Sequence, residues 1–428
     1  RSDTLMQKNM LMKISEAGWR LPTDAVPDLL KTGTKNNSLR PIIVSVLDAD
    51  GHWLAAKNRD WHYALLPVLS WDELNQVWSE SPQPVRVSIL SWLRRIDPQK
   101  GIELLESRWP DEIDANRHAL MMGLKNGLGM LDEPFLEQNL DARQVIVRRR
   151  AQELLSKMPA SRHAARMKAY ASRILTWHLD RRPFLTVKMP SHMSGAMVRD
   201  GLKNQTEKRR VDYVTRRLTL LVSSVPLDYW TEATGLTPDE FIEMVQETTW
   251  PRTIMAALTT AAVRQERRDW ANLILEKSGI HSKSAAALQV LEPADIEPLT
   301  RKALGHPLEN GKLGYTHPLY LLLKEWKKPW PETVVLEISQ KLANYVASDH
   351  IKNVPGSSLR GWLTKLIGNS PPHLIEQIET MFTFNDEVHS LWESSIKIGL
   401  RRNEAQRRLD EVFAKYKPIH LAPGDDGN

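Results

Sequence analysis

Between residues 71 and 158 the apolar positions of the chain return every 31 residues. Aligning 71–97, 102–128 and 133–159 places Leu74, Leu105 and Leu136 in one column and Trp78, Trp109 and Leu140 in a second. Ile89, Leu120 and Ala151 form a third column, and Leu93, Leu124 and Leu155 a fourth. Between the second and third stand Arg86, Arg117 and Arg148. A fixed period in the range of about 20–50 residues marks a stacked repeat. Within one copy Leu74 and Trp78 are four residues apart, as are Ile89 and Leu93, the spacing that sets two side chains on one helix face. Each copy is therefore predicted to be a pair of helices. The turns between them carry Ser81-Pro82, Pro110-Asp111 or Asp141, residues that start helices because Pro presets φ and Asp or Ser accepts first-turn N–H groups. A lone pair cannot bury both of its apolar faces, so neighbours must stack. The expected fold is all-α, a helical-repeat solenoid or α-α superhelix. It should contain no strands and should hold Leu74, Leu105 and Leu136 at equivalent sites.

The same pattern extends outward with less regularity. Ile43 and Leu47 fall 31 residues before Leu74 and Trp78, so the ladder begins a rung earlier, with Trp53 and Trp61 on the partner helix. Residues 3–19 read as a capping helix, 21–37 as a connector, and 162–177 as a helix that continues the stack. From 180 to 206 the periodicity is lost, and two Pro, two Gly and scattered Met and His take its place, as in a functional or disordered loop. Helical pairs resume at 207–223, and Thr237-Pro238-Asp239-Glu240 opens a helix with Pro in its first turn and acids near the positive end of the dipole. A charged helix over 404–415 closes the array. The organisation expected is helical repeats over 1–177, a basic irregular loop over 178–206, helical repeats over 207–417 and a tail over 418–428.

Charge sharpens this picture. The 428 residues carry a net charge of only +6, yet 142–217 hold 19 Lys and Arg against five Asp and Glu, so the rest of the chain is net negative by eight. A basic middle on an acidic frame suggests a localised partner site. Its candidate binding residues are Arg181, Arg182, Lys188, Arg199, Lys203, Lys208, Arg209 and Arg210, suited to phosphate or an acidic protein surface; a solvated linker is the plainer reading. Arg86, Arg117 and Arg148 are expected to be structural, each reaching a carbonyl or carboxylate of the adjacent repeat, with Asp141 the partner of Arg148. The absence of Cys excludes disulfides, thiolate metal sites and a Cys nucleophile. The 13 His form no metal-ligand spacing, and Met189, His192, Met193 and Met197 need no metal to explain them, so neither metal nor cofactor is expected. P-loop, dinucleotide-binding and serine-hydrolase motifs are missing, which leaves an enzymatic reading without its parts. The 15 Trp outnumber the six Phe and eight Tyr, and most fall in apolar helical patterns where core packing explains them. No 18-residue apolar run occurs, so a cytoplasmic protein is expected, and the opening Arg1-Ser2 in place of Met suggests a processing or cloning scar.

Certain short segments carry a resemblance. Gly51-His52-Trp53-Leu54-Ala55 with Asn58 and Trp61, Asp132-Glu133-Pro134-Phe135-Leu136-Glu137 followed by Val147-Arg148-Arg149, Val198-Arg199-Asp200-Gly201, and Pro226-Leu227-Asp228-Tyr229-Trp230 span most of the chain. Through them it resembles a bacterial family of uncharacterised HEAT-like proteins encoded beside MoxR-type AAA+ ATPases, von Willebrand A proteins and SWIM zinc-finger proteins. The resemblance implies a non-enzymatic scaffold or adaptor with protein partners, an AAA+ ATPase or von Willebrand A protein among them. It brings no catalytic residues. The alternative is a nucleic-acid-binding HEAT-repeat protein resembling the alkylpurine DNA glycosylases, motivated by the basic middle and the tryptophans.

Overall fold

A computed structural model describes residues 7, 10–12, 14–15, 21, 23–65, 70–202, 210–308, 313–326, 330–348, 354–382 and 393. The tail, the helix expected over 404–415 and most of that expected over 3–19 lie outside them. The described chain is mostly helical and divides into two compact units, one ending at Asp132 and the other beginning at Glu133. That division falls between the second and third rungs of the ladder. The third rung's second helix packs instead on the helix that follows it, and the 178–202 stretch supplies Leu185, Met193, Met197 and Leu202 to the core of the second unit.

The first unit runs through α1 (Val26–Lys35), α2 (Arg40–Ser45), α3 (Ala49–Ala55), α4 (Trp71–Glu80), α5 (Gln83–Ile96), α6 (Pro98–Arg108) and α7 (Asp114–Gly123). Local chemistry sets the helix starts. Ser70 accepts the Glu73 N–H while the Glu73 carboxylate accepts the Ser70 N–H at 2.8 Å, a reciprocal cap that begins α4. Asp97 accepts the Lys100 N–H at 3.0 Å and Pro98 takes the first position of α6. Each helix packs on its successors in sequence: α4 on α5, and α5 on both α6 and α7. Leu74, Trp78, Ile89, Leu93, Leu105, Leu120 and Leu124 are all buried there.

Between these helices lies a charged knot. The Arg94 guanidinium, fully buried, donates to the carbonyls of Pro98 at 2.7 Å, Asn126 at 3.1 Å and Gly127 at 2.6 Å, and to Asp132 Oδ2 at 2.6 Å. Glycine is required at two neighbouring positions. A Cβ on Gly101 would come within 2.5 Å of Arg94 Cδ, and Gly127, at φ +59°, presents its carbonyl to the guanidinium from the left-handed region.

The second unit begins with the third rung, α8 (Glu133–Asn139) and α9 (Val145–Leu155), where Leu136, Leu140, Ala151 and Leu155 are buried, as their counterparts are except for the half-buried Trp109. It continues through α10 (Arg162–Ile174), the short α11 (Gly195–Arg199), α12 (Arg210–Ser224), α13 (Asp228–Thr234), α14 (Pro238–Gln246), α15 (Pro251–Arg264) and α16 (Arg268–Ser278). After these come α17 (Pro293–Leu304), α18 (Pro318–Glu325), α19 (Glu332–Val346), α20 (Gly356–Asn369) and α21 (Ile375–Met381). Packing is again between near neighbours: α9 on α10, α10 on α12, α12 on α15, then α15, α16, α17 and α18 in succession. Trp230 stacks on Phe241 at 5.4 Å, and Phe241 meets the edge of Trp270 at 6.0 Å, an aromatic file through the core.

One expectation is corrected here. The helix expected over 162–177 ends at Ile174, and Leu175–His178 (β1) pairs antiparallel with Phe184–Val187 (β2), Leu175 opposite Val187. Burial explains the switch. Leu175 and Leu185 point into the core while Thr176 and Thr186 face solvent, a period of two that a helix cannot satisfy.

The ladder arginines also differ from expectation in their partners. Arg86 Nε donates to the carbonyls of Trp78 and Ser81, both at 2.9 Å, and Arg117 Nη2 to that of Trp109 at 3.1 Å, so each closes the end of the first helix of its own pair. Arg148 Nη1 does the same with Ala142 at 2.7 Å and Arg143 at 2.8 Å, and Asp141 is taken by Arg199 instead. Only Arg86 also reaches the next rung, at Glu112 Oε1, 2.7 Å away. The arginine stands about two turns of chain after those carbonyls, so the hairpin folds it back on its own helix end before any neighbour is within reach. Substituting Arg86→Ala is expected to lower stability by about 2 kcal/mol, and Arg117→Ala by about 1 kcal/mol, because bonds from a charged donor to half-buried acceptors are lost. Urea unfolding followed by tryptophan fluorescence measures both, and midpoints equal to that of the parent chain would rule out a stabilising role.

Candidate functional site

Two charged features dominate the second unit, and the first is a clamp. Arg166, on α10, donates from Nε and Nη2 to both oxygens of Asp200 at 2.8 Å, and from Nη2 to Glu137 Oε1 at 2.8 Å. Arg199, at the end of α11, grips both oxygens of Asp141 at 2.9–3.0 Å and the Glu137 carbonyl at 2.9 Å. The Tyr170 hydroxyl donates to Asp200 Oδ2 at 2.9 Å. The motif segments that contain Glu137 and Arg199-Asp200-Gly201 are thus bound together through α10, although about 60 residues separate them. Electrostatics follow the geometry. The bonds to Asp200 raise the Arg166 pKa, Arg199 holds the Asp141 carboxyl below its ordinary range, and burial beside Asp200 pushes the Tyr170 hydroxyl up to about 12. His163, fully buried below the clamp, has its pKa lowered by desolvation, and its Nδ1 has no partner among the described residues. Gly201, at φ +107°, turns the chain where a Cβ would lie 3.1 Å from Gln152, whose amide donates to the Arg199 carbonyl at 2.8 Å.

Beside the clamp is a cavity of about 420 Å³. Its wall is rich in arginine: Arg149 from α9, Arg216 and Arg217 from α12, and Arg264 from the end of α15. Arg264 donates from Nη1 to the Ser223 carbonyl at 3.3 Å and to its hydroxyl at 3.2 Å, and burial pushes its pKa down against the opposing charge of Glu153. Arg217 is buried with its guanidinium 3.3 Å above the centre of the Tyr213 ring and a bond to the Pro190 carbonyl at 3.3 Å. Arg149 and Arg216 are exposed. The two acids of the wall are already engaged. Glu153 is bonded to Arg150 at 2.6 Å, and Asp200 to Arg166 and Tyr170. Met167, Leu202 and Leu220 supply the apolar part of the lining.

Among the described residues, the binding residues expected from sequence do not come together at one place. Arg181 and Arg182 sit exposed in the bend between β1 and β2, and Lys188 is exposed just after β2, its N–H donating to the Ile174 carbonyl at 2.8 Å. Arg199 is committed to the clamp. Lys203, Lys208 and Arg209 lie outside the described residues, and of Arg210 only the backbone, at the start of α12, lies within them. Arg149, Arg216, Arg217 and Arg264 were not singled out. A signal for the last existed: Arg264 is the one charge in the final three turns of a helix in which Ile254, Ala257, Leu258, Ala261 and Ala262 are buried. The Met and His of the 189–197 stretch have ordinary places, with Met193 and Met197 in the core and His192 exposed. Trp78, Trp230, Trp270, Trp326 and Trp362 are fully buried, while Trp53 is exposed with the Lys57 ammonium 4.9 Å from its ring centre. Among the described residues no helix is long and apolar enough to cross a membrane.

No curated protein and no solved structure matches the chain. Residues 1–413 match a family of unknown function, DUF5691, and the chain belongs to that family.

Proposed function

We propose that this member of DUF5691 is a non-enzymatic scaffold, a HEAT-like solenoid of helical pairs that holds protein partners, an AAA+ ATPase complex first among them. One observation carries the reading: within each unit helices pack on near neighbours in sequence, and the leucine, isoleucine and alanine columns of the ladder are buried in every pair. An array of that kind offers an extended surface built from many shallow contacts, which suits the gripping of a protein more than the enclosure of a reacting atom. The clamp supports it as well. Its carboxylates and guanidiniums satisfy one another, a use of charge that fixes backbone and leaves no acid or base poised for proton transfer. The choice of partner rests on the resemblance to proteins encoded beside MoxR-type ATPases and von Willebrand A proteins.

Light scattering coupled to size-exclusion chromatography tests the proposal directly. The purified chain, mixed with the MoxR-type ATPase or von Willebrand A protein of the same genome, is expected to elute as a complex of summed mass, with micromolar or tighter affinity by calorimetry. Separate elution with both would remove this partner assignment. Oligonucleotide binding that falls steeply between low and moderate salt would favour nucleic acid in its place.

A further inference from the structure

We infer that a small pocket in the first unit binds a carboxylate, with Arg40 and Arg95 as its cationic partners. The inference is independent of the scaffold reading and rests on a cation that the fold buries and fixes without an acid. Arg40, the first residue of α2, is only 4 % exposed. Its Nε donates to the Gly33 carbonyl at 2.8 Å, and Nη1 to the Pro84 carbonyl at 2.9 Å and to the Ser88 hydroxyl, whose own proton goes to Pro84 at 3.0 Å. The Tyr63 ring centre lies 4.6 Å from the guanidinium carbon. Each of these partners is neutral. They orient the charge and leave it uncompensated, although a cation taken out of water is costly until an anion meets it. Burial is the main influence on the Arg40 pKa and pushes it down; Asp60 opposes this, but it is exposed and forms no ion pair with Arg40 among the described residues.

Arg40 lines a pocket of about 130 Å³, and none of the described residues around that pocket is acidic. Ser88, Ser91, Trp92 and Arg95 line it from α5, at the spacing that sets side chains on one helix face. Arg95 is exposed and has no ion-pair partner among the described residues. The pocket is far smaller than the roughly 300–1,000 Å³ of sites for drug-sized molecules, so its guest is a group of a few heavy atoms and not a nucleotide. Of the Arg40 fork, Nε and Nη1 are engaged and Nη2 makes no bond among the described residues. One fixed guanidinium with a second on a flexible stem suits a planar monoanion with two acceptor oxygens; a tetrahedral dianion calls for donors on more sides. Val44, Val87 and Trp92 supply an apolar wall for the carbon skeleton. A carboxylate on a short aliphatic body meets these demands, whether as a free acid or as the end of a peptide chain.

An NMR titration of the full chain, labelled with nitrogen-15 in its tryptophan indoles and held in buffer free of carboxylate and phosphate, tests this through the Trp92 signal. The probes are butyrate, butan-1-ol, inorganic phosphate, and acetylated tetra-alanine with a free or an amidated C-terminus. Butyrate is expected to shift the Trp92 signal saturably, with millimolar or tighter affinity, and butanol and the amidated peptide to leave it in place. Tighter binding of the free-ended peptide than of butyrate identifies a chain end as the source of the carboxylate, and the reverse order a small acid. Arg95→Gln, an exposed change, should weaken butyrate binding about tenfold, as loss of one charged donor does. Ser91→Phe fills the pocket and should abolish binding while circular dichroism stays unchanged. The inference is overturned if neither butyrate nor the free-ended peptide binds saturably, if butanol or phosphate binds as tightly as butyrate, or if Arg95→Gln binds butyrate as the parent chain does.

Discussion

Asp132→Ala is expected to lower the stability of the first unit by about 3–5 kcal/mol, since it strips the carboxylate from a guanidinium that has no access to water. Arg94 and Asp132 are each fully buried, and their bond of 2.6 Å is the only charge pairing either makes among the described residues. Burial pushes the Asp132 carboxyl upward in pKa, and the Gly129 N–H and Arg94 pull it back. The two halves of the pair therefore fail differently. Without Arg94 the carboxyl can take up a proton and become neutral; without Asp132 the guanidinium stays charged and buried. Arg94→Met nevertheless brings its own loss, because the carbonyls of Pro98, Asn126 and Gly127 forfeit their shared donor. The double variant Arg94→Met/Asp132→Leu separates the contributions. It should recover part of the loss seen in Asp132→Ala but stay below the parent chain, since the three carbonyls remain without a donor. Urea unfolding by circular dichroism provides the comparison, and an Asp132→Ala midpoint within error of the parent would show that the knot contributes nothing.

Much of the architecture was legible because it is written in periodicity. A residue such as Leu105 needs only its neighbours three and four positions away to declare a helix, and its counterparts 31 residues off to declare a repeat. The β1–β2 hairpin escaped because Leu175–His178 is too short to set a period of its own against the strong helical pattern of α10. The polar features were harder still. Basic residues near in sequence, such as Arg181 and Arg199, were expected to act together, but the fold sends one to a hairpin tip and locks the other against Asp141. Arg149, Arg217 and Arg264 come from three helices spread over more than 100 residues, and they share a cavity only because α12 packs on both α10 and α15. Contacts of that range leave no mark in local pattern. The motif residues Glu137, Arg199 and Asp200 could be listed from the sequence, whereas their meeting through Arg166 could not.

Asp200→Ala is expected to lower the stability of the second unit by about 3 kcal/mol, the loss for a buried carboxylate whose partners remain behind. Its side chain is 1 % exposed and accepts from Arg166 twice and from Tyr170 once. The loss is held below the largest values because Arg166 keeps Glu137 at 2.8 Å and is itself 30 % exposed. Asp200→Asn should fall between, as its amide oxygen can still accept one of the three bonds. Acid weakens the same region through His163. Its pKa is lowered in the fold by desolvation, so below about pH 6.5, the ordinary value, the unfolded chain takes up a proton that the folded chain resists. Stability is therefore complete above that pH and declines as pH falls toward the folded pKa, by at most about 1.4 kcal/mol per pH unit from this group. His163→Phe removes that slope while filling a similar volume. Unfolding midpoints of the parent and His163→Phe chains, measured from pH 7.5 down to 5.5, should converge as the pH drops. Parallel curves would mean that His163 takes up its proton equally in the folded and unfolded states, and that acid reaches the clamp by some other group.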